Sequence, residues 1–392
     1  MLVGIASLAC LYFVIIMDKT NLCFLYFLVG SILALLWADL SPTLWASDHG
    51  FYHQSTQDTL HTPERVDIVA DEAALYQVHD AFMHNGQVTV VQDPEPGVLQ
   101  FQAGEMTASW GREGEGPSDL QSPAGVVVND TYIAVLDRMP AKVVYFDHEG
   151  NSIHNTMIDG YQFASGWAVT EEDTLISVSN MSDESGTSDL VRLHDGETLE
   201  ALSVDAGEDI RVEPDEGFPM TMPAPFMSPA WTITHEGRVY QWTHDGYIVE
   251  TDTRGNEQRR YSTDDFRAFP INDDDIDGYL EHVFDPEAEF QGVRDAFRHV
   301  REEARESVDF PDVFPAVLDM KAAPSGGLWL RRTTTNEGSI WSYWHDGEEQ
   351  ASYQFSAEQR VLHFLDDERV LVRGRDDDGA PIIEVYSVPV AE

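Results

Sequence analysis

The chain has 392 residues, with 70 Asp and Glu against 23 Lys and Arg, for a formal charge of −47. Its 42% apolar and 11% aromatic residues are enough to build a core, so the charge does not signal disorder. A protein that binds nucleic acid needs clustered cations to neutralise phosphates, so this balance excludes nucleic acid as a partner and disfavours an anionic lipid surface. Only three basic residues are Lys (Lys19, Lys142, Lys321) and the remainder are Arg. Such a surface repels itself in dilute buffer, whereas at ~1 M salt the Debye length falls to about 3 Å. The composition is that expected of a salt-adapted, halophilic protein.

Two apolar runs, 2–16 and 22–38, open the chain, separated by Met17-Asp18-Lys19-Thr20-Asn21. Each is at or below the roughly 17–25 residues of a membrane-spanning helix. The second has the form of a signal-peptide core that begins at Met17, with Lys19 as its positive flank. Leu44-Trp45-Ala46 is a poor cleavage site, so an uncleaved anchor is the alternative. Segment 1–46 is expected to be a signal peptide or membrane anchor, placing the protein in the periplasm or at the cell surface. Both cysteines, Cys10 and Cys23, fall within it, which leaves the rest without disulfides or thiolate chemistry.

Beyond the leader, short turns ending in Gly recur: His84-Asn85-Gly86, Asp147-His148-Glu149-Gly150, His194-Asp195-Gly196, His244-Asp245-Gly246 and His345-Asp346-Gly347. Such residues accept positive φ at low cost, as tight hairpins require. Around them lie β-branched and aromatic runs that group into six units. These are 87–92 with 98–102; 131–137, 142–147 and 152–157; 174–179, 189–194 and 198–204; 238–242 and 246–251; 328–332 and 339–344; and 369–374 with 382–388. Four of them fit the 40–45 residues of a four-stranded propeller blade. The last lacks an outer strand, and Arg65-Val66-Asp67-Ile68-Val69 is expected to complete it, closing the ring and removing its edges.

Between the fourth and fifth units, over 263–313, the pattern becomes helical. Asp285-Pro286-Glu287 has the form of a helix start, and Phe290, Val293, Phe297 and Val300 then make one apolar stripe to about Ser307. The expectation is an all-β, six-bladed β-propeller over 64–388, with a helical insertion between blades four and five that packs on one face.

The stretch Trp110-Gly111-Arg112-Glu113-Gly114-Glu115-Gly116-Pro117, then 122–128, then IAVLDR and KVVYFDHEGN, resembles the NHL-like six-bladed β-propeller family of exported bacterial proteins. Phe314-Pro315-Ala316 leading into Gly327-Leu328-Trp329-Leu330-Arg331 is also similar to that family. Ser118-Asp119-Leu120 departs from the family's usual Gly-Glu-Phe at that point. The resemblance implies a propeller, and most members have no assigned activity.

Several groups have the residue types of a site. The 111–116 loop lacks the Lys and following helix of a phosphate-binding loop. Asp273, Asp275 and Asp277 match the first half of a calcium loop, but its twelfth position is Phe284 where a bidentate Glu is needed, and a solvated acidic turn or helix cap is the simpler reading. The turn histidines lie at the ends of separate hairpins and do not suggest zinc, and no nucleophile elbow is present. Asp137-Arg138 and Arg331-Arg332, with Arg112, lie at strand ends or connections that can face a propeller channel and hold an anion, with inter-blade ion pairing as the alternative role. The tryptophans, among them Trp329, Trp341 and Trp344, fit core packing between blades better than a carbohydrate platform.

The functional expectation is an exported, monomeric, non-catalytic module that binds a partner protein or small ligand on one face, touching the membrane only through its N-terminal segment. No cofactor is expected. The alternative is a calcium-dependent hydrolase or lactonase, as implied by similar six-bladed propellers that hold Ca²⁺ in the channel.

Overall fold

The computed structural model describes residues 60–70, 75–93, 97–138, 140–158, 163–169, 173–179, 188–194, 197–204, 210–213, 220–222, 225–226, 230–234, 236–283, 291–335 and 337–390. The leader, the helix start expected at Asp285 and the stripe residue Phe290 lie outside the described residues.

Strands β1 (Leu60–His61) and β2 (Glu64–Ala70) come first. A four-stranded antiparallel sheet follows, in the order β3 (Gln77–His84), β4 (Gln87–Asp93), β5 (Val98–Gln102) and β6 (Glu105–Trp110). The next has β7 (Pro123–Val128), β8 (Ile133–Asp137), β9 (Lys142–Phe146) and β10 (Ser152–Met157). After it come β11 (Phe163–Val169), β12 (Asp173–Ser179), β13 (Ser188–His194) and β14 (Glu197–Val204). A two-stranded ribbon, β15 (Ile210–Val212) with β16 (Met220–Met222), precedes the sheet of β17 (Trp231–Ile233), β18 (Arg238–Thr243), β19 (Tyr247–Asp252) and β20 (Glu257–Ser262). Helices α1 (Asp273–Val283) and α2 (Gln291–Ser307) then interrupt the series. It resumes with β21 (Asp319–Ala322), β22 (Leu328–Thr335), β23 (Gly338–His345) and β24 (Glu348–Ser356). It ends with β25 (Arg360–Phe364), β26 (Arg369–Arg375) and β27 (Pro381–Ser387).

Two early strands are absorbed late. β2 pairs antiparallel with β27, as expected for ring closure, and Arg65 reaches Glu384 across that seam at 2.9 Å. β1 adds in parallel to the outer edge of β24, so that sheet has five strands. Each first strand lies beside the next, from β3 through β7, β11, β17, β21 and β25 and back to β3. The sheets therefore stand in a closed ring, and the fold is an all-β propeller. Against the six blades expected, the described residues form five four-stranded sheets, the sheet of β21–β24 with a fifth strand, and a separate ribbon between 210 and 222.

Burial within a sheet explains which strands the sequence displays. All five residues of β8 and of β9 are buried, because a middle strand is covered on both faces by neighbouring sheets. Outer strands such as β20 (EQRRYS) are mostly exposed and carry no apolar signal. The tight turns hold as expected: Asn85-Gly86 has φ of 51° and 77°, and Asp346-Gly347 has 49° and 91°. At Asp147, Asp252 and Asp376 a different turn recurs, in which the carboxylate accepts backbone N–H groups from residues two and four ahead.

The insertion has its own small core. Ile276, Leu280, Val300 and Ala304 of the two helices pack with Val212 of the ribbon and with Phe226, Phe314 and Leu318. Its base is tied by an antiparallel bridge, with Ile271 N–H donating to Asp312 at 2.9 Å and Phe314 N–H to Phe269 at 2.9 Å. Helix α1 begins at the acidic stretch weighed against a calcium loop. Asn272 caps the helix by accepting from Asp275 N–H at 3.1 Å, while the buried Asp275 carboxylate accepts from Asn272 N–H at 3.0 Å. Asp273 and Asp277 both bind Arg305 of α2. Asp273, Asp275 and Asp277 therefore fan out around the first turns of a helix, and the oxygens a calcium loop would gather on one ion are spent on capping and on Arg305.

Candidate functional site on the inner wall of the ring

In each sheet the chain enters at the inner strand, so the inner strands all begin at the same mouth of the ring. There the sequence places His79 and Asp80 on β3, Lys321 on β21, and Arg360 and His363 on β25. Arg138 joins them from the end of β8, its N–H donating to Ser122 just ahead of β7. A register shift between Val78 and Asp80 marks His79 as a bulged residue, and a matching shift lies between Val361 and His363 on β25. A bulge suspends the alternation of side chains, so successive residues can serve one surface.

Arg360 is the hub of this wall. Its charge is felt by His79 and Asp80 on β3, by Arg138, and by Arg373, which stands directly opposite it on β26. Arg373 donates to the Val78 carbonyl at 2.8 Å, joining the last sheet to the first. Lys321 acts on Asp80 and on His363. Two contacts fix the carboxylates: Asp80 accepts from Val126 N–H at 3.1 Å, and Asp93 lies 3.0 Å from His79 Nε2.

The protonation states follow from these neighbours. Burial pushes Asp80 up to about 6, against Lys321, the Val126 and Ala81 N–H groups and Arg360, all of which favour its charged form. Burial, then Lys321, pushes His363 down to about 4. His79 is also lowered, by burial first and by Arg138 and Arg360, against the pull of Asp93. Burial and then Arg360 lower both Arg138 and Arg373. At pH 7 both histidines are neutral and the wall is cationic.

Of the residues expected from sequence, Arg138 alone joins this cluster. Asp137 is fully buried and accepts Gln121 N–H at 2.9 Å and Ser122 N–H at 2.7 Å, with Lys142 Nζ 3.5 Å away. Arg112 is exposed and binds Asp119 through Nε at 3.1 Å and Nη2 at 2.8 Å. Asp119, where the sequence leaves the family pattern, is the residue this loop folds around. It also accepts Gly116 N–H at 2.8 Å, and a Cβ at Gly114 or Gly116 would lie 2.4 or 2.6 Å from its Oδ2.

Arg332 is buried beneath the insertion. It donates to the Ala316 carbonyl at 2.6 Å, the Arg267 carbonyl at 3.0 Å and Glu349 at 3.0 Å, with Phe266 4.4 Å from its guanidinium. The two carbonyls stand where the chain leaves for the insertion and where it returns. Arg331 is half-buried on β22, opposite Asp319. The sequence reading missed His79, Asp80, Lys321, Arg360 and His363 because inner strands are short and mixed in polarity. The signal that could have found them was titratable residues within each first strand, which requires knowing where those strands lie.

Elsewhere, a concavity lined by His84, Asn85, Gln87, Gln102, Asp130 and His148 is polar, and its groups bind one another: His84 Nε2 is 2.9 Å from Asp130. Among the described residues no group of three or more His, Cys, Asp or Glu is placed to hold a metal ion, and no helix is long and apolar enough to cross a membrane.

No family model and no curated protein sequence matches the chain. It is similar in fold to a candidate exported protein of Bacteroides fragilis, at 10% identity and a TM-score of 0.50, over 86% of this chain and 98% of that one. A calcium-binding regucalcin from Agrobacterium tumefaciens aligns at 12% identity and a TM-score of 0.41, over 83% and 96% of the two chains. YCF48, in a structure with a D1 peptide, aligns at 11% identity and a TM-score of 0.41, over 80% and 79%. At these identities the likeness concerns the fold alone.

Proposed function

We propose that the chain is a non-catalytic ligand-binding propeller, exported through segment 1–46, monomeric and salt-adapted. In this reading the five-stranded sheet counts with the four-stranded ones as a six-bladed ring. The observation that carries it is the convergence, at one mouth of the ring, of charged side chains from four different sheets. Arg138, Lys321 and Arg360 have no ion pair there among the described residues. Packing explains a paired charge. It does not explain three cations held near one another with no ion pair to the carboxylates beside them, in a chain rich enough in acids to supply them.

A wall of this sign favours a ligand over the calcium-dependent hydrolase alternative, since Arg and Lys repel a divalent cation. The test is a melting series of the full chain with neutral, cationic and anionic small molecules at fixed ionic strength. A binder at about 100 times its dissociation constant adds about 2.7 kcal/mol, or several degrees. The expected result is that at least one class raises the melting temperature and loses its effect in Arg360→Gln. A flat response to all three classes overturns the reading. Salt adaptation has its own test: stability is expected to rise with KCl, and a maximum in dilute buffer would reject it.

A further inference from the structure

We infer that the mouth of the ring is a site for a small dianion, carried as two carboxylates or as a phosphoryl group. This rests on the ligand-binding reading above and names the chemistry of the ligand. Four cations face this wall (Arg138, Lys321, Arg360 and Arg373) against two carboxylates, Asp80 and Asp93, and both histidines are neutral. The excess is two positive charges. Asp93 is hydrogen-bonded by His79 and Asp80 by the Val126 N–H, and their charges offset only part of the four cations.

The arrangement of donors agrees with the charge. Arg360 and Arg373 are cross-strand partners, a like-charged pairing that a sheet would ordinarily avoid. Arg373 spends one nitrogen on the Val78 carbonyl and keeps its other donors. Arg138 approaches from the neighbouring sheet, and Lys321 sits further in along β21. Planar guanidinium forks suit the paired oxygens of a carboxylate or phosphoryl group, and the Lys ammonium suits a second anionic end. The repulsion between these cations is relieved when an anion lies between them.

The surrounding charge of −47 sets the salt dependence. At long range the chain repels an anion, and salt screens that repulsion. Contacts inside the half-buried wall are screened much less. Affinity is therefore expected to hold or rise as KCl increases, where a surface anion site would weaken.

The closing experiment is calorimetric titration of the full chain with inorganic phosphate and with succinate at matched ionic strength. Acetate, glucose and tetramethylammonium are compared, and Arg138→Gln, Arg360→Gln and the distant Arg211→Gln are run as variants. The expected result is binding of phosphate, succinate or both, at least tenfold tighter than acetate. It should weaken tenfold or more in Arg138→Gln and Arg360→Gln and stay unchanged in Arg211→Gln. Phosphate alone assigns a phosphoryl ligand, and succinate alone a dicarboxylate. Binding of glucose or tetramethylammonium without either dianion overturns this inference and leaves the ligand-binding reading standing. Silence from every probe, with the variants folded by circular dichroism, removes both.

Discussion

Two adjacent pairs of residues, Asp137-Arg138 and Arg331-Arg332, look alike in the sequence and meet different fates. Asp137 and Arg332 are each almost wholly buried and fully hydrogen-bonded, one between loop N–H groups and Lys142, the other between two carbonyls and Glu349. Arg138 reaches the inner wall and makes no ion pair among the described residues, with Asp93 acting on it only at longer range. The difference is one of architecture. Asp137 ends a middle strand that neighbouring sheets cover on both faces, while the next residue emerges at the mouth of the ring. Arg332 is the extra residue at a register shift between Arg331 and Thr333, which turns it toward the base of the insertion. A charge with partners holds the ring together. A charge without them is available to something else.

That contrast can be broken most strongly at Arg332. Replacing it by Ala orphans two buried carbonyls and Glu349 and is expected to cost about 3 kcal/mol or more in urea unfolding. A cost below about 1 kcal/mol would remove its role as the staple of the insertion. Asp137→Asn keeps only one acceptor oxygen for two N–H donors and leaves Lys142 without its counter-charge, so a loss of about 2–3 kcal/mol is expected by the same assay.

Asp80 gives a smaller, pH-dependent effect. Its pKa of about 6 in the fold lies above the ordinary 3.8, so the folded chain takes up a proton between those values that the unfolded chain does not. Its contribution to stability therefore grows as pH falls from about 6 toward 4. The difference between wild type and Asp80→Asn across that window is expected to be about 1–2 kcal/mol, reduced by water at the mouth. A parallel pair of stability curves would show that Asp80 is solvated. Arg138→Gln closes the series, with an expected change within about 0.5 kcal/mol in the absence of ligand, because the repulsion by Arg360 and the attraction of Asp93 are removed together. A large loss there would make Arg138 structural, like its neighbour.

How far the site could be read from sequence follows the same division. The middle strands were legible because burial on both faces writes an unbroken apolar run, as in 133–136 and 143–146. Inner strands such as β3, QVHDAFMH, mix polar and apolar residues because one side faces the channel, and they were missed. The start of helix α1 within the helical interval was not legible, because its first turn, Asp273-Asp274-Asp275, imitates half of a calcium loop. The closing strand was legible as an orphan that needed a partner. The addition of β1 to β24 was not, since two residues, Leu60 and His61, carry no pattern.

By itself, then, the sequence determined the all-β class, the recurrent blade spacing, the closure of the ring by its N-terminal strand, the helical interval and the strongly acidic balance of charge. These depend on local burial, turn chemistry and total charge, which are properties of neighbouring residues or of the whole chain. Only the tertiary structure decided which cations share one wall and which are spent on buried partners. His79, Arg138, Lys321, Arg360 and Arg373 are distant in the chain and meet because every inner strand starts at the same mouth. No run of residues encodes that meeting. It is a consequence of closing the ring.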